Sequence, residues 1–386
     1  MRKLEIRGGK VIDGGLDTPK GFRLCCNESA GVLFSETFAT TVFIAAENAL
    51  SGRSVKIAKN IGGKNTARAI VLSNCGADVL QKGGRDRAVA RVNYTSDRLG
   101  VPAFEVRPIF VGGVSARSDD GQALERIDDC VQQILRGERS DVSLLGVSTH
   151  TCVVQFYLGD DYLCTLCGTV FTDCDCPATK RTVLLTTDVS ISAELLRAAM
   201  EAQYKESFGL LPVPPAPNDG FTALASGLAG NNTITARDVE YAKFSKALEY
   251  VLTELCGKAL SNGNREDAVR LRVVGATSKR AAWDVVRNAY AYFLLLGSEG
   301  IALIRGITSC IGGIESVIRK NRLRVWLQSE RGELLLLDAG KLLFVSEERA
   351  QEVFGGEETI MTVDFRDSNY GASGWIPKCN RKIFNS

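Results

Sequence analysis

Three groups of residues in this chain carry types and spacings that could do chemistry: a single histidine, a cysteine cluster and an Ala-Thr junction ahead of a strand-like run. His150 is flanked by Thr149, Thr151 and Cys152, and no nucleophile elbow lies near it, so a hydrogen-bonded strand residue is the simpler reading than a member of a Ser-His-Asp triad. Cys164-x-x-Cys167 is followed by Cys174-x-Cys176, with Cys152 just upstream. Four thiolates can hold zinc tetrahedrally, but zinc ribbons pair two Cys-x-x-Cys knuckles with Gly-bearing turns. Residues three apart on a strand face opposite ways, so the cluster is expected to be metal-free and its thiols to be buried packing groups. Gly8-Gly9 and Gly112-Gly113 are too short for a dinucleotide fingerprint, and no P-loop occurs, so no cofactor is implied.

A hydroxyl can also act as nucleophile with an amine as its base, including a threonine at a newly exposed chain terminus. Such a threonine must follow a small residue in an accessible segment. Ala178-Thr179, within Cys176-Pro177-Ala178-Thr179-Lys180-Arg181-Thr182, meets that requirement on spacing. The alternative is an ordinary exposed turn, because threonines before strands are common.

The elements that must position these residues alternate in type. Ala67 to Ser73 and Arg107 to Val111 read as strands, Arg85 to Leu99 and Gly121 to Leu135 as helices, the first of them stopped by Gly100 and Pro102. Val153 to Leu158 and Tyr162 to Leu166, around Gly159-Asp160-Asp161, read as a hairpin, and Thr182 to Leu185 as a further strand. Ser192 opens a helix, Pro212 to Asp219 is a connection, and Ala236 to Leu260 is helical. Beyond it come a strand at Leu271 to Gly275, a helix at Ser278 to Ala291 and a hairpin over Arg322 to Gln328 and Glu333 to Leu337. A short helix at Glu347 to Phe354 and a strand at Thr359 to Phe365 follow. The class is α/β, with mixed sheets layered against helices.

With 386 residues, 45% hydrophobic and 24% charged, the chain is an ordinary globular one of two or three domains' length. A formal charge of +2 gives no footprint for nucleic acid or an anionic membrane. No apolar run approaches a membrane span, and the charged start Met1-Arg2-Lys3-Leu4-Glu5 lacks a signal peptide's apolar region, so a cytoplasmic location is expected. Twelve cysteines are too sparse for a disulfide scaffold.

Several stretches resemble the bifunctional ornithine acetyltransferase (glutamate N-acetyltransferase) family of arginine biosynthesis. Arg68-Ala-Ile-Val-Leu-Ser-Asn-Cys-Gly-Ala77 is similar to its RAIVVNSGNAN strand and turn. Leu184-Leu-Thr-Thr-Asp-Val-Ser-Ile-Ser-Ala-Glu-Leu-Leu196 is similar to its second TTD segment, and Asn218-Asp-Gly-Phe-Thr-Ala-Leu-Ala-Ser-Gly-Leu-Ala-Gly-Asn231 to TNDTVLLLANGLAGN. Thr18-Pro-Lys-Gly-Phe22, Arg272-Val-Val-Gly-Ala-Thr-Ser278 and the order of segments add to it.

The resemblance implies a self-processing fold of the N-terminal-threonine-nucleophile kind, made of two interlocked parts, residues 1–178 and 179–386. Cleavage would fall between Ala178 and Thr179, and Thr179 would carry an acetyl group from N-acetylornithine to glutamate. The oxyanion turn aligns with Val111-Gly112-Gly113, leaving backbone N–H groups of Gly112 and Gly113 in place of a threonine donor. Glu266, Asn380 and Ser386 fall nearest the family's substrate ligands. Its lysine falls at Cys167-Gly168-Thr169, where none stands, and its DGDTST loop at Val213-Pro-Pro-Ala-Pro217. The implied partners are small amino-acid substrates and further copies, as a homo-oligomer or a heterotetramer of cleaved chains. Two readings stay open beside acyl transfer: an inactive paralogue serving as a binding or structural subunit, and an amide hydrolase of changed substrate.

Overall fold

A computed structural model describes residues 4, 6, 8–45, 48–61, 65–74, 79, 83–112, 120–172, 181–260, 268–296, 301–356 and 358–377. Two units emerge, a larger one over Leu4–Phe208 and Pro214–Ala259 and a smaller one over Gly209–Val213 and Leu260–Ser386.

The larger unit is organised by one long strand that changes partners. Its strands are β1 (Lys10–Ile12), β2 (Phe22–Cys26), β3 (Ala30–Ala45), β4 (Thr66–Ser73), β5 (Val106–Phe110), β6 (Ser148–Leu158), β7 (Tyr162–Thr172), β8 (Thr182–Thr187) and β9 (Gly220–Ala225). They run in the order β1-β6-β7-β8-β9-β3-β4-β5, with β2 also on β3. The first part of β3 pairs with β2, from Gly31 opposite Cys26 to Ser35 opposite Phe22, and its last part, Thr40 to Ala45, pairs with β9. Its ladder to β4 is interrupted between Phe34 and Ala39, where the strand has to bend.

That bend folds the sheet onto itself. Leu24, Leu33, Ile70 and Ile109 from β2 to β5 share one buried cluster with Val153, Cys167, Phe171, Leu184 and Leu224 from β6 to β9, so the two wings pack face to face. The opposite face of the first wing is covered by α2 (Gly84–Leu99) and α3 (Asp120–Leu135), through Val32, Val71 and Val106 against Val92, Ile127 and Val131. On the outer face of the second wing lie α4 (Ala193–Glu206), whose Tyr204 meets Phe221 edge-on, and α5 (Val239–Leu260), whose Val251 and Leu255 press on Gly168. The result is a helix–sheet–sheet–helix stack, with α1 (Arg53–Ile61) against β5 and β3. Helix limits follow local chemistry. Gly100 ends α2 in the left-handed conformation at φ 64°, and the Ser192 hydroxyl accepts from Leu195 N–H at the start of α4.

The smaller unit holds β10 (Ala268–Ala276), α6 (Lys279–Leu296), α7 (Ile301–Gly312), β11 (Arg324–Ser329), β12 (Gly332–Asp338), β13 (Lys341–Leu342), α8 (Glu347–Phe354), β14 (Thr359–Asp364) and β15 (Tyr370–Pro377). Its sheet runs β13-β12-β11-β14-β10-β15, antiparallel except for the β10–β14 pair, with α6 packed on β10 and β15. The hairpin expected over residues 322–337 is β11–β12. No element was expected from the sequence at β1, β2, β3, α1, β9, α7, β13 or β15. Among the described residues, no helix is long and apolar enough to cross a membrane.

Candidate functional site

The junction Ala178-Thr179 lies between β7 and β8, outside the described residues, as do Gly113, Glu266, Asn380 and Ser386. What the structure does show is how the chain is gripped on leaving that junction. Arg181, two residues after Thr179, donates its backbone N–H to Asp219 Oδ1 at 2.8 Å, and its guanidinium donates through Nη1 to the Phe208 carbonyl at 2.9 Å. The Arg181 Nε lies 3.8 Å from Asp219 Oδ2, which also accepts the Ala216 N–H at 2.7 Å. Both side chains are buried, at 3% and 0% exposure. A buried pair of this kind is costly to break, because the surviving charge stays desolvated. It pins the head of β8 to the end of the proline-rich connection at a fixed point.

Beside this clamp lies a narrow, partly open recess with room for about one water molecule. Phe43 of β3, Ser54 and Val55 of α1 and Pro108 to Phe110 of β5 form one part of its lining, and Thr182, Asn218, Gly220 and Thr222 another. Ile109 belongs both to this lining and to the core between the sheets, and Thr182 shares a strand face with core residue Leu184, so the recess opens where that core ends. No charged side chain lines it among the described residues. Asn218 is 5% exposed, and neither atom of its side-chain amide has a hydrogen-bond partner among the described residues. The Thr182 hydroxyl is 3.4 Å from the Asn218 main-chain carbonyl, to which it donates.

Gly112 follows β5 at a close backbone crossing. A Cβ there would fall 1.9 Å from the Asn74 carbonyl oxygen, so only glycine fits. Val111, just before it, donates its N–H to the Ser73 carbonyl and is wholly buried in the core, so its side chain adds no polar group here. The segment where the resemblance would place a lysine is equally tight. Cys167 is buried between the sheets, the Thr169 hydroxyl meets that of Thr151 at 2.9 Å, and a Cβ on Gly168 would come within 2.7 Å of Val251 and 2.8 Å of Leu255.

Cys164 and Cys167 both sit on β7 and are buried. Burial pushes the Cys164 thiol up to about 12 and the Cys167 thiol well above its usual value. Cys174 and Cys176 lie outside the described residues, among which no group of three or more His, Cys, Asp or Glu side chains is placed to hold a metal ion. His150 lies on β6. Burial, and secondarily the positive charge of Lys258, hold its pKa below the usual histidine value.

Three of the stretches that carry the resemblance meet at Asp188. Its carboxylate accepts N–H groups from Thr165 at 2.7 Å and Lys20 at 3.3 Å, and its carbonyl accepts the Ala229 N–H at 2.7 Å. The Ser226 hydroxyl in turn donates to the Lys20 carbonyl at 2.6 Å. These residues tie the scaffold together.

Residues 19–379 match the ArgJ family. The chain belongs to the ArgJ family. Among its curated relatives, the glutamate N-acetyltransferase of Methanopyrus kandleri is 24% identical over 361 residues, 89% of this chain and 91% of that protein. The arginine biosynthesis bifunctional protein ArgJ 1 of Clostridium acetobutylicum is 26% identical over 200 residues, where the match covers 50% of this chain and about half, 48%, of the relative's length. Among solved structures, the arginine biosynthesis bifunctional protein ArgJ of Bacillus halodurans aligns at 21% identity and a TM-score of 0.41, over 51% of this chain and 92% of that one.

Proposed function

We propose that this ArgJ-family chain is an acyltransferase of the glutamate N-acetyltransferase kind that matures by cutting itself between Ala178 and Thr179. The observation that carries the reading is the family match over residues 19–379, which spans the junction. The buried Arg181–Asp219 clamp supports it, since a nucleophile two residues upstream would need an anchored chain. In maturation the Thr179 hydroxyl attacks the Ala178 carbonyl, the peptide nitrogen leaves as the free α-amine, and water hydrolyses the ester. That amine has an ordinary pKa of about 7.7 to 8.0, so a fraction of it is neutral at working pH and can take the hydroxyl proton in the next step. Thr179 Oγ then displaces ornithine from N-acetylornithine, and the glutamate amine removes the acetyl group from the ester. Gly112 and Gly113 would offer backbone N–H groups to the oxyanion, with Glu266, Asn380 and Ser386 toward the amino-acid end. The protein would act in the cytoplasm, without metal or cofactor, as an oligomer.

A second reading, an inactive paralogue, is favoured by the packing at Gly112 and at Cys167-Gly168-Thr169, which leaves no room for the family's threonine donor or its lysine. Incubation with N-acetylornithine followed by intact mass measurement separates the two. Acyl transfer requires a fragment beginning at Thr179 that gains one acetyl group, and loses it on addition of glutamate. A chain that never gains the acetyl group supports the paralogue.

A further inference from the structure

We propose that the outer edge of the smaller unit's sheet, β13 and the two residues after it, is where two copies of this chain join about a two-fold axis. The edge is held in place from behind. Ala339 and Gly340, at φ 48° and 75°, turn the chain back from β12, so that Asp338 faces Lys341 and Leu337 faces Leu342. The Leu343 N–H then donates to the Leu336 carbonyl at 3.1 Å. Main-chain groups alternate along an antiparallel strand, so a Leu343 N–H aimed at β12 turns the N–H and C=O of Leu342 and Phe344 outward. Such an edge is a template for another strand, and proteins commonly blunt it with charge or proline. Here it carries Leu342-Leu343-Phe344, at 63%, 40% and 98% exposure.

The edge is complementary to itself. An antiparallel pairing centred on Leu343 sets Leu342 of each copy opposite Phe344 of the other, and these are the residues whose main-chain groups face outward. Two hydrogen-bonded pairs then flank a Leu343–Leu343 contact on the axis. Leu342 lies on the sheet face of Leu337 and Val325, both buried, and Phe344, two residues on, shares that face. The two leucine–phenylalanine pairs therefore extend the apolar layer across the axis, with no charges opposed. Two phenylalanines of about 150–250 Å² each, four leucines and two strand edges together cover on the order of 1,000 Å², the lower limit for a specific interface. Association is accordingly reversible and concentration-dependent. This inference rests on the reading of the protein as an oligomer and names the surface that makes it one; it is independent of cleavage at Thr179.

The test is analytical ultracentrifugation of the full chain from roughly 10⁻⁶ to 10⁻⁴ M, with symmetric crosslinking as a check on register. The wild-type protein should pass from the mass of one 41.7 kDa chain towards twice that mass. Phe344→Glu, a change at an exposed position that leaves the fold intact, should weaken the association at least tenfold. Leu343→Cys places two thiols across the axis, where main chains come within about 4.5 Å, so oxidised glutathione should link the copies beyond the level seen with the wild-type chain. Lys341→Cys should not link, since two such residues lie about 13 Å apart in this register. On a denaturing, non-reducing gel the size of the linked species, whole chains or fragments starting at Thr179, records cleavage separately. A single-chain mass throughout the range would overturn the proposal, as would crosslinking through Lys341→Cys equal to that through Leu343→Cys. An oligomer whose mass Phe344→Glu leaves unchanged would overturn this surface while preserving the oligomer itself.

Discussion

Replacing Asp219 by alanine removes three things at once from the head of β8: the acceptor for Arg181 N–H at 2.8 Å, the acceptor for Ala216 N–H at 2.7 Å and the counter-charge 3.8 Å from Arg181 Nε. Hydrogen bonds to a charged group contribute roughly 1.5–3 kcal/mol each, so the two together come to about 3–6 kcal/mol. Breaking a buried ion pair from one side costs about 3–5 kcal/mol, which agrees. The arginine left behind keeps its bond to the Phe208 carbonyl, but its charge is still desolvated. Tryptophan fluorescence would miss the effect, since Trp283, Trp326 and Trp375 all belong to the smaller unit. Hydrogen exchange read on a peptide covering residues 181–187 is the suitable assay. At about 1.4 kcal/mol per factor of ten, local opening at the head of β8 should become about 10²- to 10⁴-fold easier, and Asp219→Asn, which keeps one acceptor, should fall between the two. Exchange changed less than about threefold by Asp219→Ala would refute the clamp as the anchor of this segment.

Three further outcomes follow from burial and close packing. Gly112→Ala forces a Cβ against the Asn74 carbonyl, a main-chain atom that cannot swing aside, so chemical denaturation should show a loss of about 1–3 kcal/mol; an unchanged midpoint would contradict it. His150 is the one imidazole in the chain, so its proton resonance titrates without overlap and should do so below pH 6.5. Because its folded pKa is depressed, the stabilisation it gives is full above pH 6.5 and is lost as pH falls through the folded value, a dependence that His150→Phe should flatten. Brief alkylation of the native protein at pH 8, mapped by mass spectrometry, should spare Cys25, Cys26, Cys130, Cys152, Cys164, Cys167, Cys256 and Cys310, all of them buried thiols. Rapid labelling of Cys164 or Cys130, each pushed up to about 12, would show that β7 or α3 packs differently.

Much of the scaffold was legible in the sequence because local signals agreed with tertiary demands. Gly100 and Pro102 marked the end of α2, Ser192 marked the start of α4, and Gly159-Asp160-Asp161 marked the turn between β6 and β7. Two of the elements passed over, β9 and β15, are ones in which packing outweighs propensity. β9 reads Gly-Phe-Thr-Ala-Leu-Ala and is buried on both faces, so it shows no alternation. β15 carries two glycines and a proline, poor strand formers, yet a Cβ at Gly374 would lie 2.2 Å from Val286 of α6, so the close approach of helix and strand requires glycine there. Thr179 is proposed on the resemblance and, weakly, on its Ala-Thr spacing, and it lies outside the described residues. Asn218 stood inside a quoted motif, but the unpaired state of its amide is a property of what surrounds it in space, which no local pattern records.

The central claim is that this chain cuts itself to expose a threonine, and N-terminal sequencing of the purified wild-type protein tests it most directly. The account predicts two N-termini, one of them Thr179-Lys180-Arg181-Thr182, and two fragments in place of the 41.7 kDa chain on a denaturing gel. An intact chain whose only N-terminus is residue 1 or 2 would contradict it.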